Sequence, residues 1–186
     1  MNIRRACIKD ARGVAKVQVD CWKTTYKNIV PDEYLNKMTY ESREETWKSI
    51  IADQTVFVAE TDEGEIIGFS NGGKERTSKY PAYNGELYAI YILEDYQKKG
   101  LGKLLINPII EDLIQNEIFS MVVLVLEENN SRLFYESLGA KQIDIIEIEV
   151  SGKRLNELVY GCQDIRKFKC DSVENHKIRS SFKPNN

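Results

Sequence analysis

The chain has 186 residues, with 26 Lys and Arg against 29 Asp and Glu, for a formal net charge of −3. That length suits one domain able to bury its own core, and 42% hydrophobic with 30% charged residues excludes collagen-like, disulfide-knotted and wholly disordered classes. The body lacks the basic footprint of a nucleic-acid binder, and no apolar run approaches the roughly 18 residues of a membrane span, so neither partner is expected. Basic residues concentrate at the end: from Arg166 onward six Lys or Arg face two Asp or Glu. The expected division is a domain over residues 1–165 and a polar, basic, solvated tail over 166–186. The opening residues Met1, Asn2, Ile3, Arg4 and Arg5 do not have the pattern of a secretory leader, and a cytoplasmic location is expected.

Four cysteines, Cys7, Cys21, Cys162 and Cys170, show no C-x-x-C spacing, so free thiols in a reducing compartment are expected. Cys7 and Cys21 are expected as small core residues. With His176 the sole histidine, neither a histidine-rich zinc site nor a catalytic triad is expected.

In chain order, residues 2–8 alternate weakly as a strand. Asp10 can cap a helix over residues 11–26, whose Val14, Val17, Cys21 and Trp22 follow the helical period. Pro31, Asp32 and Glu33 open a second helix, with proline in the first turn and acids at the positive dipole end. Residues 40–52 form a third, carrying Trp47, Ile50 and Ile51. Strand character follows at residues 55–61 and 65–70, joined by the hairpin signal Asp62-Glu63-Gly64. Residues 71–84 are expected to be a surface loop, and residues 87–93 a strand. A basic, glycine-containing stretch, 97–103, leads into a helix reaching about residue 115. Residues 121–126 are a continuous apolar run, the mark of a strand buried on both faces. A short helix over 129–138 closes at Gly139. Strands at 143–150 and 155–160 flank the turn Ser151-Gly152. The class is mixed α/β with one central sheet, and the strand–helix–strand unit over 87–126 predicts a parallel pair.

The chemistry concentrates in Gln97-Lys98-Lys99-Gly100-Leu101-Gly102-Lys103, between a strand and a helix. The two glycines allow close backbone approach, and the first helical turn leaves amides without intrahelical partners. Together with the helix dipole they form an anion site suited to a phosphate or pyrophosphate, to which the lysines add positive charge. The stretch is not a P-loop, because Leu104 follows Lys103 where Ser or Thr is required, and the dinucleotide pattern fails at Leu105.

Gln97 to Gly102 matches the pattern Gln/Arg-x-x-Gly-x-Gly/Ala. Downstream, Asn129-Asn130-Ser131-Arg132-Leu133-Phe134-Tyr135-Glu136-Ser137-Leu138-Gly139 follows an Asn–helix–Phe-Tyr-Glu-x-x-Gly block. In this order and context the chain resembles the GNAT superfamily of acyl-CoA-dependent N-acetyltransferases, over about residues 2–164. The resemblance implies a single GNAT-like domain whose central strands splay apart around acetyl-CoA as cosubstrate, with no metal required. It implies that the pantetheine arm pairs with the backbone of Ile90, Tyr91 and Ile92. Gln97, Lys98, Lys99, Gly100, Leu101, Gly102 and Lys103 would form the pyrophosphate cradle, and Asn129 would touch the cofactor arm. Trp22, Tyr26 and Tyr88 would contribute to the acceptor pocket, with the loop 72–83 as a rim.

Transfer to an amine explains the catalytic residues that the resemblance implies. An alkylammonium of pKa about 10 is neutral in roughly one part in a thousand at pH 7, a handicap of roughly 4 kcal/mol. Glu86, at the start of the signature strand, would be the base, and Tyr135 the acid for the leaving thiolate. Read without the resemblance, Glu86 is a solvated strand-end carboxylate and Tyr135 a packed aromatic. The implied activity is acetyl transfer to a primary amine of a small molecule or peptide. The alternatives are a non-catalytic CoA-binding or regulatory module and an acyltransferase acting on protein N-termini. Exposed C-terminal strands leave room for a homodimer. Two departures from the family pattern are Glu94, where many relatives carry proline, and Pro108 inside the signature helix.

Overall fold

Seven strands in the order β1-β2-β3-β4-β5-β7-β6 make one mixed sheet. In the computed structural model residues 1–168 are described, and Cys170, His176 and the rest of the expected tail lie outside the described residues. The strands are β1 (Asn2–Arg5), β2 (Thr55–Glu60), β3 (Ile66–Lys74), β4 (Gly85–Ile92), β5 (Met121–Leu126), β6 (Lys141–Val150) and β7 (Lys153–Cys162). The helices are α1 (Ala11–Thr25), α2 (Asp32–Lys37), α3 (Tyr40–Asp53), α4 (Leu101–Gln115) and α5 (Arg132–Ser137). The β4–β5 pair is parallel and every other pair antiparallel. The β6–β7 hairpin turns at Ser151 (φ 48°) and Gly152 (φ 82°), the two successive positive φ values of a type I′ turn.

The sheet buries both faces. Against one face, α1 and α3 place Val14, Val17, Cys21 and Trp47 on Val56, Val58 and Phe69. Against the other, α4 places Ile106, Ile109 and Leu113 on Leu87, Val123 and Val125, while its Leu101 and Leu105 pack on Ala59 and Ile67. A third cluster joins the end of α1 to the C-terminal strands through Tyr26, Val30, Leu35, Leu126 and Leu155.

Pro108 does not interrupt α4. Its ring crowds the preceding turn and removes one amide donor. In that turn the buried Ser70 hydroxyl, reaching across from β3, donates to the Leu105 carbonyl at 2.7 Å.

Several local expectations are corrected. β1 stops at Arg5, and Cys7 is exposed rather than a core residue, because the chain turns away from the sheet through a 3-10 turn at Ile8–Asp10. Asp10 does not cap α1 with its side chain. Its carboxylate instead accepts from both Arg4 Nη atoms (2.7 and 2.9 Å) and from the Cys7 amide (2.8 Å). β3 runs on to Lys74, so the expected loop begins later. Glycine permits this, because a Cβ on Gly72 would lie 2.7 Å from Ile109 Cγ2. At the other end, Ile165 and Phe168 are buried in the core, so packing continues past residue 165.

Candidate active site

The central feature is a fork. β4 and β5 pair only at Gly85↔Met121, Glu86↔Val122 and Leu87↔Val123. Beyond that seam β4 follows β3 to Ile92 and β5 follows β7 to Leu126, with no pairing between them. A β-bulge sharpens the divergence. Leu87 pairs with Gly72 and Ala89 with Asn71, which leaves Tyr88 unmatched. The bulge also resets the alternation of side chains. Leu87 and Ile90 face α4, whereas Ala89 and Tyr91 face α1.

At the mouth of the fork lies the start of α4. Gly100 occupies its N-cap position with φ 83°, and Lys98 is also left-handed at φ 57°. No atom lies within 4 Å of a Cβ built on Gly100, so its glycine character serves backbone conformation and open access. Gly102 differs: a Cβ there would stand 3.1 Å from the Phe134 ring, so it is glycine because α5 packs on it. The Lys103 amide already donates to the Gly100 carbonyl at 3.1 Å. The amides of Leu101 and Gly102 are the first-turn donors left to an anion. Lys98 and Lys99 are exposed beside them, with Lys99 Nζ 5.7 Å above the Tyr96 ring. The Gln97 amide donates to the Ile92 carbonyl at 2.9 Å, tying the loop back to β4 and occupying an acceptor otherwise available for strand addition. Leu101 itself is buried.

Deeper in the fork, phenols gather. Trp22 Nε1 donates to Tyr91 Oη at 2.9 Å, and the rings of Trp22 and Tyr26 lie 4.6 Å apart. Asn129 Nδ2 donates to Tyr26 Oη at 3.0 Å, while Asn129 Oδ1 accepts from the Ser131 amide at 2.9 Å. The amide expected on a cofactor arm is thus committed within the protein. Tyr135 is buried on α5, with its ring 5.5 Å from Phe134 and 6.4 Å from Tyr160. Burial pushes the phenols of Tyr26, Tyr91 and Tyr135 above their ordinary value, so all three keep their protons at neutral pH.

At the seam lies the carboxylate end. Glu86 is buried, not the solvated strand-end group that its sequence position suggested. Its carboxylate is gripped by Arg76, through the backbone amide at 3.2 Å, Nε at 3.1 Å and an ion pair to Nη2. The Arg76 guanidinium lies 4.1 Å over the Tyr88 ring, and the Tyr88 hydroxyl donates to the Lys74 carbonyl at 2.6 Å. Tyr88 therefore serves the Arg76 side of the site, whereas Trp22 and Tyr26 meet Tyr91 and Asn129. Away from the seam, opposite Leu126 at the end of β5, Glu157 on β7 is partly buried. Its carboxyl is held above the usual range by burial and by the charge of Glu86, opposed by Arg76.

Among the described residues no group of three or more His, Cys, Asp or Glu side chains is arranged to hold a metal ion, and no helix is long and apolar enough to cross a membrane. The residues present do fit a long anionic thioester. A helix N-terminus with two available amides stands beside exposed lysines, an open strand edge leads inward, and a buried phenol stands near the inner end.

A strand–glycine turn–helix unit feeding a forked α/β sheet defines an acyl-CoA transferase fold. The acetyltransferase (GNAT) family model matches residues 22–140, and the chain belongs to that family. The sequence is 39% identical over 169 residues to the uncharacterized N-acetyltransferase YuaI of Bacillus subtilis (strain 168), spanning 91% of this chain and 96% of that protein. It is 35% identical over 79 residues to the [ribosomal protein bS18]-alanine N-acetyltransferase of Haemophilus influenzae, spanning 41% of this chain and 54% of that protein. The fold is shared with the PaiA N-acetyltransferase of Thermoplasma acidophilum, crystallised in complex with coenzyme A. The TM-score is 0.70 at 23% identity, covering 86% of this chain and 96% of that one.

The sequence named the helix N-terminus, Glu86, Tyr135 and the aromatic residues. It missed Arg76, the Tyr91 side chain and Glu157. Arg76 lies in a segment that looked like plain surface loop, and only the strand order places Glu157 opposite the end of β5, beside the open arm of the fork.

Proposed function

We propose that this protein transfers the acetyl group of acetyl-CoA to a primary amine of a small molecule or peptide by direct attack. The observation that carries this reading is the fork, with anion-binding amides at its mouth and a buried, protonated phenol and carboxylates within. Acetyl-CoA supplies the thioester, whose C–S bond breaks as the amine nitrogen forms the new C–N bond. The amides of Leu101 and Gly102, with Lys98, Lys99 and Lys103 nearby, hold the pyrophosphate. The open edge of Ile90 and Tyr91 orients the pantetheine amides. The phenol of Tyr135 gives its proton to the departing thiolate, whose parent thiol has a pKa of about 8.5. The attacking amine gives up its proton to Glu86 through a water molecule at the carboxylate end, where Arg76 fixes the position of the Glu86 carboxylate.

The solved PaiA complex with coenzyme A supports the choice of cosubstrate, and the similarity to enzymes named N-acetyltransferases supports the reaction. The likeness to a ribosomal-protein-alanine N-acetyltransferase favours a second reading in which the amine is a protein N-terminus. Calorimetry with acetyl-CoA, followed by thiol release across alkylamines, diamines and peptides with free N-termini, tests both. Thiol release with small amines supports the first reading, and release only with peptides the second. Binding of acetyl-CoA without release for any amine would leave a CoA-binding module and overturn both.

A further inference from the structure

The two acids that border the fork, Glu86 at the seam and Glu157 opposite the end of β5, are not equivalent. Arg76 offers Glu86 three donors, so the charge of Glu86 is matched inside the protein. Glu157 has no such partner. Among the described residues no side chain donates a hydrogen bond to it or forms an ion pair with it.

Its position follows from strand alternation. Leu155, Glu157 and Val159 share one face of β7, and Leu155 packs with Tyr26, Val30, Leu35 and Leu126. That face is therefore turned toward the ends of α1 and α2. Glu157 lies opposite Leu126, the last residue of β5, and so beside the open arm of the fork. Ionisable groups from the surrounding elements act on it electrostatically. Glu86 comes from β4, Arg76 and Tyr80 from the connection between β3 and β4, and Tyr26 from α1. Arg76 and Glu86 match each other and the tyrosines are neutral, while the Lys153 ammonium on the same face is spent on the Ile29 carbonyl at 2.6 Å, so no cation is paired with Glu157.

We propose that Glu157 is the counter-charge that seats the ammonium group of the acceptor, which makes it a specificity-determining residue for cationic amines; this rests on the amine acetylation proposed above. A carboxylate taken partly out of water without a partner bears a desolvation cost that an incoming cation relieves. A neutral acceptor gives no such relief. The nearby rings of Trp22, Tyr26 and Tyr34 suit an apolar or aromatic stem on the amine.

A matched pair of probes tests this without turnover. Phenethylammonium and 2-phenylethanol differ in the cationic group, and their binding is measured by calorimetry and ligand-observed NMR, with and without coenzyme A. The wild type should prefer the ammonium by about tenfold or more, the ratio expected of a charge-assisted hydrogen bond. Glu157→Gln should bind the two equally, whereas Glu157→Asp, which keeps the charge, should retain a preference and so show that the site itself is intact. A preference that survives Glu157→Gln overturns the proposal. So does equal binding of the two probes by the wild type, or binding of neither at millimolar concentration. Failure to bind acetyl-CoA or to release thiol, with the ammonium preference intact, would count against acetyl transfer alone.

Discussion

Replacing Arg76 by methionine tests whether Glu86 is held or merely adjacent. The substitution keeps an apolar stem over Tyr88 and removes the guanidinium, leaving Glu86 with the residue 76 amide as its remaining donor from this side. Two unit charges about 4 Å apart attract by roughly 4 kcal/mol at an effective dielectric of 20. The Arg76 side chain is 58% exposed while that of Glu86 is 4% exposed, so solvent screens one partner of the pair and not the other. Discounted for that screening, the coupling should be about 1–2 kcal/mol. Arg76→Met should destabilise by somewhat more, about 2–3 kcal/mol, because a buried carboxylate is left poorly matched. The double variant Arg76→Met/Glu86→Gln should recover most of that loss. Urea denaturation of wild type, both single variants and the double variant gives the coupling directly. A coupling near zero, or a double variant no more stable than Arg76→Met, would refute the claim that Arg76 neutralises Glu86.

The remaining expectations concern the fork and the first strand. Gly100→Val should weaken acetyl-CoA binding by about 1–3 kcal/mol, because a β-branched residue resists the left-handed conformation at φ 83°; unchanged calorimetric affinity in a folded variant would remove this residue from the cradle. Tyr135→Phe should lower turnover by about 10²-fold with acetyl-CoA affinity retained, and wild-type turnover would eliminate the acid role. The Arg4 guanidinium holds the Asp10 carboxyl at about 2, below the ordinary value of 3.8. A depressed carboxyl contributes stability in full above its unfolded value, and that contribution is lost as pH falls through about 2. The stability gap between wild type and Arg4→Met, with about 1 kcal/mol of it from Asp10 once solvent screening and the Cys7 amide that remains are allowed for, should therefore shrink between pH 5 and pH 2; a constant gap in urea midpoints would show that Asp10 is not the source.

What could be read from the sequence was whatever depends on near neighbours. The turn at Ser151 and Gly152, the apolar strand Met121–Leu126 and the glycine-led start of α4 are local signals, and each stands where periodicity and turn chemistry place it. Asp10 shows where that logic fails. Its residue type and position suit a helix cap, but Arg4 on the neighbouring strand competes for the carboxylate and wins. β3 outran its expected end because Gly72 and Gly73, which look like loop residues, are there for close packing against Ile109 and Tyr88. Glu157, the one acid in β7, carried no motif of its own, and only the insertion of β7 between β5 and β6 brings it to the fork.

The helix that opens the anion site also splints the sheet. The seam between the two halves of the sheet is three residue pairs long, so backbone bonding alone joins them weakly. α4 bridges the gap from behind, with Leu101 and Leu105 gripping Ala59 and Ile67 on one side and Ile106, Ile109 and Leu113 gripping Val123 and Val125 on the other. Holding the molecule together and, in the function proposed above, receiving the cosubstrate are thus tasks of one rod. A core substitution in the middle of α4, far from any ligand, changes how the rod lies across both halves and so where its first amides point. On that proposal, loss of fold and loss of affinity share a single mechanical origin along that helix.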